Sequence, residues 1–220
     1  MPPDGGRSLA RTPVRTAKGR PLASTRWLQR QLNDPYVARA RREGYRARSV
    51  YKLAEIDARF ALLAPGRRVI DLGAAPGSWS QYATQRGCRV VAVDLLPLAP
   101  LHGVDIVQGD FLDPTVQRAI LDRLAGPADL VLSDMAASAT GTRAVDRLRA
   151  EALGEAVLSF AGLVLAPGGA CLVKLLRGAE ARLQAATRPL FRSARLIRPA
   201  ATRSESSEIF LLALDRRAPG

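Results

Sequence analysis

The sequence predicts an α/β fold: a seven-stranded, mostly parallel sheet with helices on both faces. Three features of the chain point to it. From residue 68 onward, short apolar runs alternate with segments of helical period, a pattern met by right-handed crossovers and parallel strands buried on both faces. A Gly-rich turn, Asp71-Leu-Gly73-Ala-Ala-Pro76-Gly77, joins the first run to the first of these helical segments. Four of the runs lead into aspartates, at Asp71, Asp94, Asp110 and Asp134, which places carboxylates at the carboxyl ends of the strands, where sheets of this kind bind ligands.

The elements follow in order. Between Ser24 and Leu63, Val50, Leu53, Ala54, Ile56 and Phe60 recur near the helical period, so a helix starts near Ser49 and ends before Pro65-Gly66. Strands are expected at 68–72, 89–94, 104–108 and 128–134, with helices at 78–85 and 114–124. A long helix from Val145 to Leu165 is stopped by Pro167-Gly168-Gly169. A strand from Ala170 to Leu175 follows, then a helix to about Thr187, and two last strands near Arg195 and at Glu208–Leu214. The link between these two contains Pro199 and polar residues and is too short for a crossover helix, so they pair as a hairpin and the last strand runs antiparallel. The result is a Rossmann-like sheet with an antiparallel insertion. Residues 1–22 read as a basic tail without apolar periodicity, and 23–217 as a single domain: a helical segment over 23–64 and the core over 65–217.

At 220 residues and 47% hydrophobic, the chain has enough apolar surface for a core of its own. Its most apolar stretch, Phe160–Leu176, is cut by Pro167-Gly168-Gly169 and carries Lys174, which excludes a membrane-spanning helix there. A net charge of +13 points to a polyanionic partner. Residues 1–50 hold twelve basic against three acidic side chains, with Trp27, Tyr36 and Tyr45 interleaved. That composition suits an arm that contacts RNA phosphates and stacks on bases, and its Arg-rich start also suits an import peptide. Arginines outnumber lysines thirty to three, so a lysine in this chain is an exception. Cys88, Cys171 and the lone His102 fit neither a disulfide framework nor a Cys/His metal site, and a reducing, cytoplasmic setting is expected, with no bound metal.

The turn after the first strand lacks the second glycine of a dinucleotide fingerprint. A rim of carboxylates repels phosphates and attracts cations. S-adenosylmethionine carries a sulfonium and an ammonium and no phosphate, so it is the cofactor expected here. Gly73 and Gly77 shape its turn, Asp94 lies where ribose hydroxyls are held, Asp110 is placed for the adenine amine, and Trp79 for packing beside it. Lys174 interrupts an apolar strand and Lys52 an apolar helix face, while Glu208 opens the last strand.

These residues carry a resemblance. The stretches Tyr45–Leu53, Asp71–Tyr82, Asp94–Pro97, Gln108–Phe111, Leu132–Ala136, Leu165–Gly169 and Val173-Lys174 resemble the FtsJ/RrmJ-type (RlmE) family of ribosomal RNA 2'-O-methyltransferases, in order over residues 25–215. The resemblance implies a catalytic tetrad of Lys52, Asp134, Lys174 and Glu208. It implies that Gly77, Trp79, Asp94, Asp110 and Asp134 hold S-adenosylmethionine, with Asp71 and Gly73 in the same motif. It further implies methylation of a uridine of the A-loop in 23S ribosomal RNA, on the large subunit, with transfer RNA as the alternative substrate; the chain is expected to act as a monomer. RNA is favoured over DNA because the 2'-hydroxyl exists only in RNA. The chain departs from the family at Ala137-Ser138, where Pro-Asn is frequent, and at Ser78, where Gly is common. A methyltransferase of small molecules or proteins would have no use for the paired lysines, and a non-catalytic RNA-binding module no use for the tetrad.

Overall fold

The computed structural model describes residue 29, residues 31–138 and residues 140–218. The tail at 1–22 and Trp27 lie outside the described residues. The chain divides into two compact units, Met1–Arg48 and Ser49–Gly220. In the first, helix α1 (Pro35–Arg42) starts on Asp34, whose side chain accepts from the Tyr36 amide at 3.0 Å. Proline at the first helical position costs nothing there, because its missing N–H would have had no partner. Arg48 pairs with Asp34 at 3.1 Å and lies 5.3 Å from the Tyr36 ring centroid.

The second unit holds β1 (Arg68–Leu72), β2 (Arg89–Asp94), β3 (Val104–Gln108), β4 (Ala128–Ser133), β5 (Leu165–Leu176), β6 (Phe191–Ile197) and β7 (Glu208–Arg216). Its helices are α2 (Val50–Phe60), α3 (Ser78–Gln85), α4 (Pro114–Leu124), α5 (Arg143–Val164) and α6 (Glu180–Thr187). The sheet order is β3-β2-β1-β4-β5-β7-β6. The first five strands pair in parallel with one another, and β7 is antiparallel to both β5 and β6. The fold and the hairpin are therefore those read from the sequence. The chain order reverses between β1 and β4, which defines the crevice where a ligand is expected.

The central strands are apolar without alternation because helices cover both faces. Val69, Ile70, Leu72, Leu130, Val131 and Leu132 are all buried. Helix boundaries follow local chemistry. Helix α4 starts on Asp113, which accepts from the Thr115 amide at 2.8 Å, and Pro114 opens it. Helix α2 ends on Ala61 with φ of 50°, and Asp57 turns back to take the Leu63 amide at 2.8 Å.

One detail differs from the expectation drawn from the sequence. Strand β5 begins at Leu165, directly after α5, and Pro167-Gly168-Gly169 lies within it. Leu165 pairs with Ala128 and Ala170 with Leu130, so the intervening residues bulge out of the ladder; proline and glycine are tolerated in a strand at such a bulge. The β6–β7 connection is organised by one guanidinium. Arg198 donates to the carbonyls of Ser206 (2.9 Å), Glu208 (3.0 Å), Arg203 (3.0 Å) and Ser204 (3.3 Å). Five donors in a rigid fork can serve several carbonyls at once, which an ammonium cannot do with the same planarity. Among the described residues no helix is long and apolar enough to cross a membrane.

Arg198→Met keeps the stem and removes the fork. It is expected to lower the unfolding free energy in urea by about 2–3 kcal/mol, the scale of charged hydrogen bonds removed from a half-buried site. Arg198→Lys should recover only part of that stability.

Candidate functional site

The carboxyl ends of the strands converge on a cavity of about 880 Å³, within the range of small-molecule sites. Gly73, Asp94, Asp110, Asp134 and Met135 are among the residues that form its walls, and Arg149 from α5 is the one basic side chain among them. Gly73 has φ of 75°, and a Cβ there would run into Met135, so only glycine lets the loops after β1 and β4 close on each other. Asp94 is held in place by the amides of Ala75 and Leu96, each at 2.8 Å. Asp110 accepts from the Leu112 amide at 2.9 Å. Leu95, Leu96 and Leu112 are exposed on the same wall, an apolar surface that suits a ring system.

A ligand with positive charge fits this donor set. Three carboxylates and one guanidinium make a poor host for a pyrophosphate and a good one for a sulfonium and an ammonium. Asp94 and Asp110 retain lone pairs that can accept from hydroxyl and amino groups, since each uses its carboxylate toward the backbone only in part.

Three of the residues expected at the cofactor are not on the cavity wall. Trp79 is only 2% exposed; its Nε1 donates to the Ser49 carbonyl at 2.8 Å, and its ring lies 5.8 Å from that of Phe210. Ser49 also meets Ser78 through their hydroxyls at 2.8 Å. The indole thus fixes the start of α2. Gly77, with φ of 105°, caps α3 in the left-handed region. Asp71 is buried beneath the loop and accepts from the Ser80 hydroxyl at 2.6 Å. Burial pushes its pKa up to about 7, against the pull of the Ser80 hydrogen bond and with the help of the nearby Asp134 and Asp94 charges.

Lys52, Asp134, Lys174 and Glu208 meet at one edge of the cavity. Lys52 Nζ is 2.9 Å from Glu208 Oε2 and 3.9 Å from Asp134 Oδ1. Lys174 Nζ is 3.0 Å from Asp134 Oδ1 and 4.0 Å from Glu208 Oε1, and it also donates to the Asp134 carbonyl. The four charges alternate in sign around a closed ring, so each ammonium sees two carboxylates. Their positions follow from the sheet. Val173 pairs with Ser133, which sets Lys174 beside Asp134; Glu208 pairs with Leu176 at the start of the reversed strand. Lys52 comes from α2 and lies over the Phe210 ring, 5.7 Å from its centroid. Burial raises the Glu208 pKa, but the charge and hydrogen bond of Lys52, with the charge of Lys174, outweigh it and hold the carboxyl below its ordinary value.

Some of the supporting residues were not singled out in the sequence. Glu55, one turn after Lys52, accepts from the Ala200 amide at 2.7 Å and so ties α2 to the loop that leads to Glu208. Asp146 takes both the amide and the hydroxyl of Thr140, at 2.6 and 2.7 Å, and Arg149 donates to the Ser138 carbonyl at 3.3 Å. These bonds pin the loop that follows Asp134. A capping acid in the first turn of α5 is the only sequence signal for them. A second, smaller cavity of about 130 Å³ adjoins Lys174, bounded by Ala137, Asp146, Ala150 and Leu176.

The Asp71 shift has a testable sign. A carboxyl whose folded pKa exceeds its unfolded value of 3.8 stabilises the fold fully below that value and loses the contribution as pH rises through about 7. Asp71→Asn should therefore gain in melting temperature relative to the parent between pH 5 and pH 9, measured by thermal melts across that range. A constant difference would show that Asp71 does not titrate there.

Residues 45–216 match the family model described as FtsJ-like methyltransferase. The ribosomal RNA large subunit methyltransferase E of Gluconobacter oxydans (strain 621H) is 50% identical over 202 residues, 91% of this chain and 75% of that protein. The protein of the same name from Granulibacter bethesdensis is 47% identical over 222 residues, 100% of this chain and 96% of its own length. Among solved structures, a Plasmodium falciparum protein described as a ribosomal RNA methyltransferase aligns with a TM-score of 0.71 at 24% identity, covering 80% of this chain and 100% of that one; at that identity it speaks for the fold alone.

Proposed function

The chain belongs to the FtsJ-like methyltransferase family, and on that premise we propose that it methylates a ribose 2'-hydroxyl of large-subunit ribosomal RNA. Its cofactor is S-adenosylmethionine. The motif set adds the finer reading that the target is a uridine of the A-loop in 23S ribosomal RNA. The observation that carries the reaction is the meeting of two cavities at one ion pair. Asp134 is on the wall of the large cavity, Lys174 on that of the small one, and their side chains are 3.0 Å apart.

S-adenosylmethionine supplies a methyl group already activated by its positive sulfur. The chain's own residues then have three tasks. Asp94 and Asp110 hold hydroxyl and amino groups at the far end of the large cavity, and the carboxylate of Asp134 favours positive charge at the near end. Lys174 reaches the small cavity and orients the attacking hydroxyl by a hydrogen bond. The bound cofactor would supply the methyl group, and Lys174, having first lost a proton to solvent, would accept the proton that the hydroxyl sheds and so become the ammonium that Asp134 and Glu208 hold. Lys52 and Glu208 close the ring, so neither the Lys174 ammonium nor the Asp134 carboxylate is left buried without a counter-charge. Most of the rate gain lies in alignment, since the leaving group needs no activation.

Lys174→Ala should lower turnover on unmethylated large subunits by about 10²–10⁴-fold, the usual range for a positioned proton acceptor, with binding of S-adenosylmethionine retained. Label transferred from tritiated cofactor to subunits, free ribosomal RNA and transfer RNA identifies the substrate; label on transfer RNA alone would overturn the ribosomal assignment. Ala150 touches the small cavity and not the large one. Ala150→Phe fills that space, so it should abolish methyl transfer while leaving cofactor affinity unchanged, as read by calorimetry.

A further inference from the structure

The basic surplus of this chain is concentrated at two places, and only one lies near its start. Residues 1–50 carry a surplus of nine positive charges. Residues 51–181 carry thirteen basic and fourteen acidic side chains, almost in balance. Residues 182–217 carry eight arginines against Glu205, Glu208 and Asp215, a surplus of five. The positive surplus of the methyltransferase unit therefore comes from β6 and the segments that flank it, which carry Arg188, Arg198, Arg203 and Arg217.

Much of it is far from the tetrad. Strand β7 has nine residues, with Glu208 at one end and Arg216 at the other, a separation of about 27 Å at roughly 3.4 Å per residue. At the Arg216 end, a cavity of about 280 Å³ is bounded by Arg188, Arg192 and Arg217, with Gln184 and Ser193 between them. Arg192 pairs with Asp215 at 3.1 Å in an exposed position, and Arg217 Nε donates to the Phe191 carbonyl at 3.3 Å. The guanidinium of Arg188 makes no hydrogen bond or ion pair among the described residues, and the same is true of Arg195 on the exposed edge strand. Three guanidiniums around a polar hollow, one of them unpaired, match the geometry of phosphate oxygens, which accept paired N–H bonds from planar donors.

We propose that this end of the β6–β7 hairpin is a second RNA-backbone contact, remote from the reacting nucleotide, that grips phosphates of a folded substrate. The inference rests on the proposed ribosomal RNA substrate. It has a length consequence: an RNA engaged by both ends of β7 must extend along the sheet edge, which a short hairpin carrying only the target nucleotide does not do. The contact supplies affinity and register, not sequence selectivity.

The test compares the full chain with Arg188→Gln/Arg192→Gln. Both positions are exposed, and an exposed ion pair contributes little to stability, so the melting temperature should not change. Affinity is measured from 50 to 200 mM salt for unmethylated large subunits, protein-free 23S ribosomal RNA and a short target hairpin. For the first two, the slope of log affinity against log salt should become shallower by about 1.4–1.8, at about 0.7–0.9 for each phosphate that is no longer neutralised. KM for subunits should rise several-fold, with kcat, cofactor affinity and hairpin affinity unchanged. Arg188→Lys/Arg192→Lys should restore most of the slope. An unchanged slope, or an equal weakening on the short hairpin, overturns the proposal. Weakening confined to whole subunits, absent on protein-free RNA, overturns it in favour of a protein partner. Failure of the substrate reading looks different: the parent enzyme itself would transfer no methyl to ribosomal RNA.

Discussion

Four charges in a ring set the terms for the rest of this structure. A buried ammonium or carboxylate is expensive unless it is paired, and here each is offset by two neighbours of opposite sign. The ring draws its members from α2, the end of β4, the interior of β5 and the start of β7. These elements cannot shift independently without leaving a charge uncompensated. Structural and chemical demands therefore coincide: the geometry that keeps the charges paired is the one that sets Lys174 and Asp134 at the junction of two cavities.

Around that ring the fold devotes a second tier of residues to orientation. Trp79 and Ser78 fix the start of α2, Glu55 ties the same helix to the β6–β7 loop, and Arg198 gathers four carbonyls of that loop. Lys52 and Glu208 are thus each anchored from behind. On the other side, Asp146 and Arg149 hold the loop that follows Asp134. Function of the first tier depends on rigidity of the second.

The sheet was legible in the sequence because apolar runs and turn residues agree on where strands stop. The tetrad was legible because a lysine in an arginine-rich chain needs a reason, and because the motif set resembles a known family. Direction was not legible. Spacing places Trp79 and Asp71 near the Gly-rich turn, yet whether they face the cavity or the core depends on how Gly73 and Gly77 aim the backbone. Arg198 was missed because its partners are carbonyls, which any residue supplies. The far basic edge was missed because residues beyond 50 average to a mild surplus, and averaging hides a segment of eight arginines beside one in balance.

The reversed strand has a temporal meaning as well as a spatial one. Strand β6 is made before β7 yet sits outside it, and among the described residues its only partner in the sheet is β7. A nascent chain ending after β6 thus has an edge strand with nothing to pair against and a ring lacking its Glu208 corner. Strand β7 supplies both what β6 pairs with and the Glu208 corner of the ring, so the same strand completes the sheet and the ring. Synthesis proceeds from the amino terminus, so the ring of charges closes only once β7 has been made.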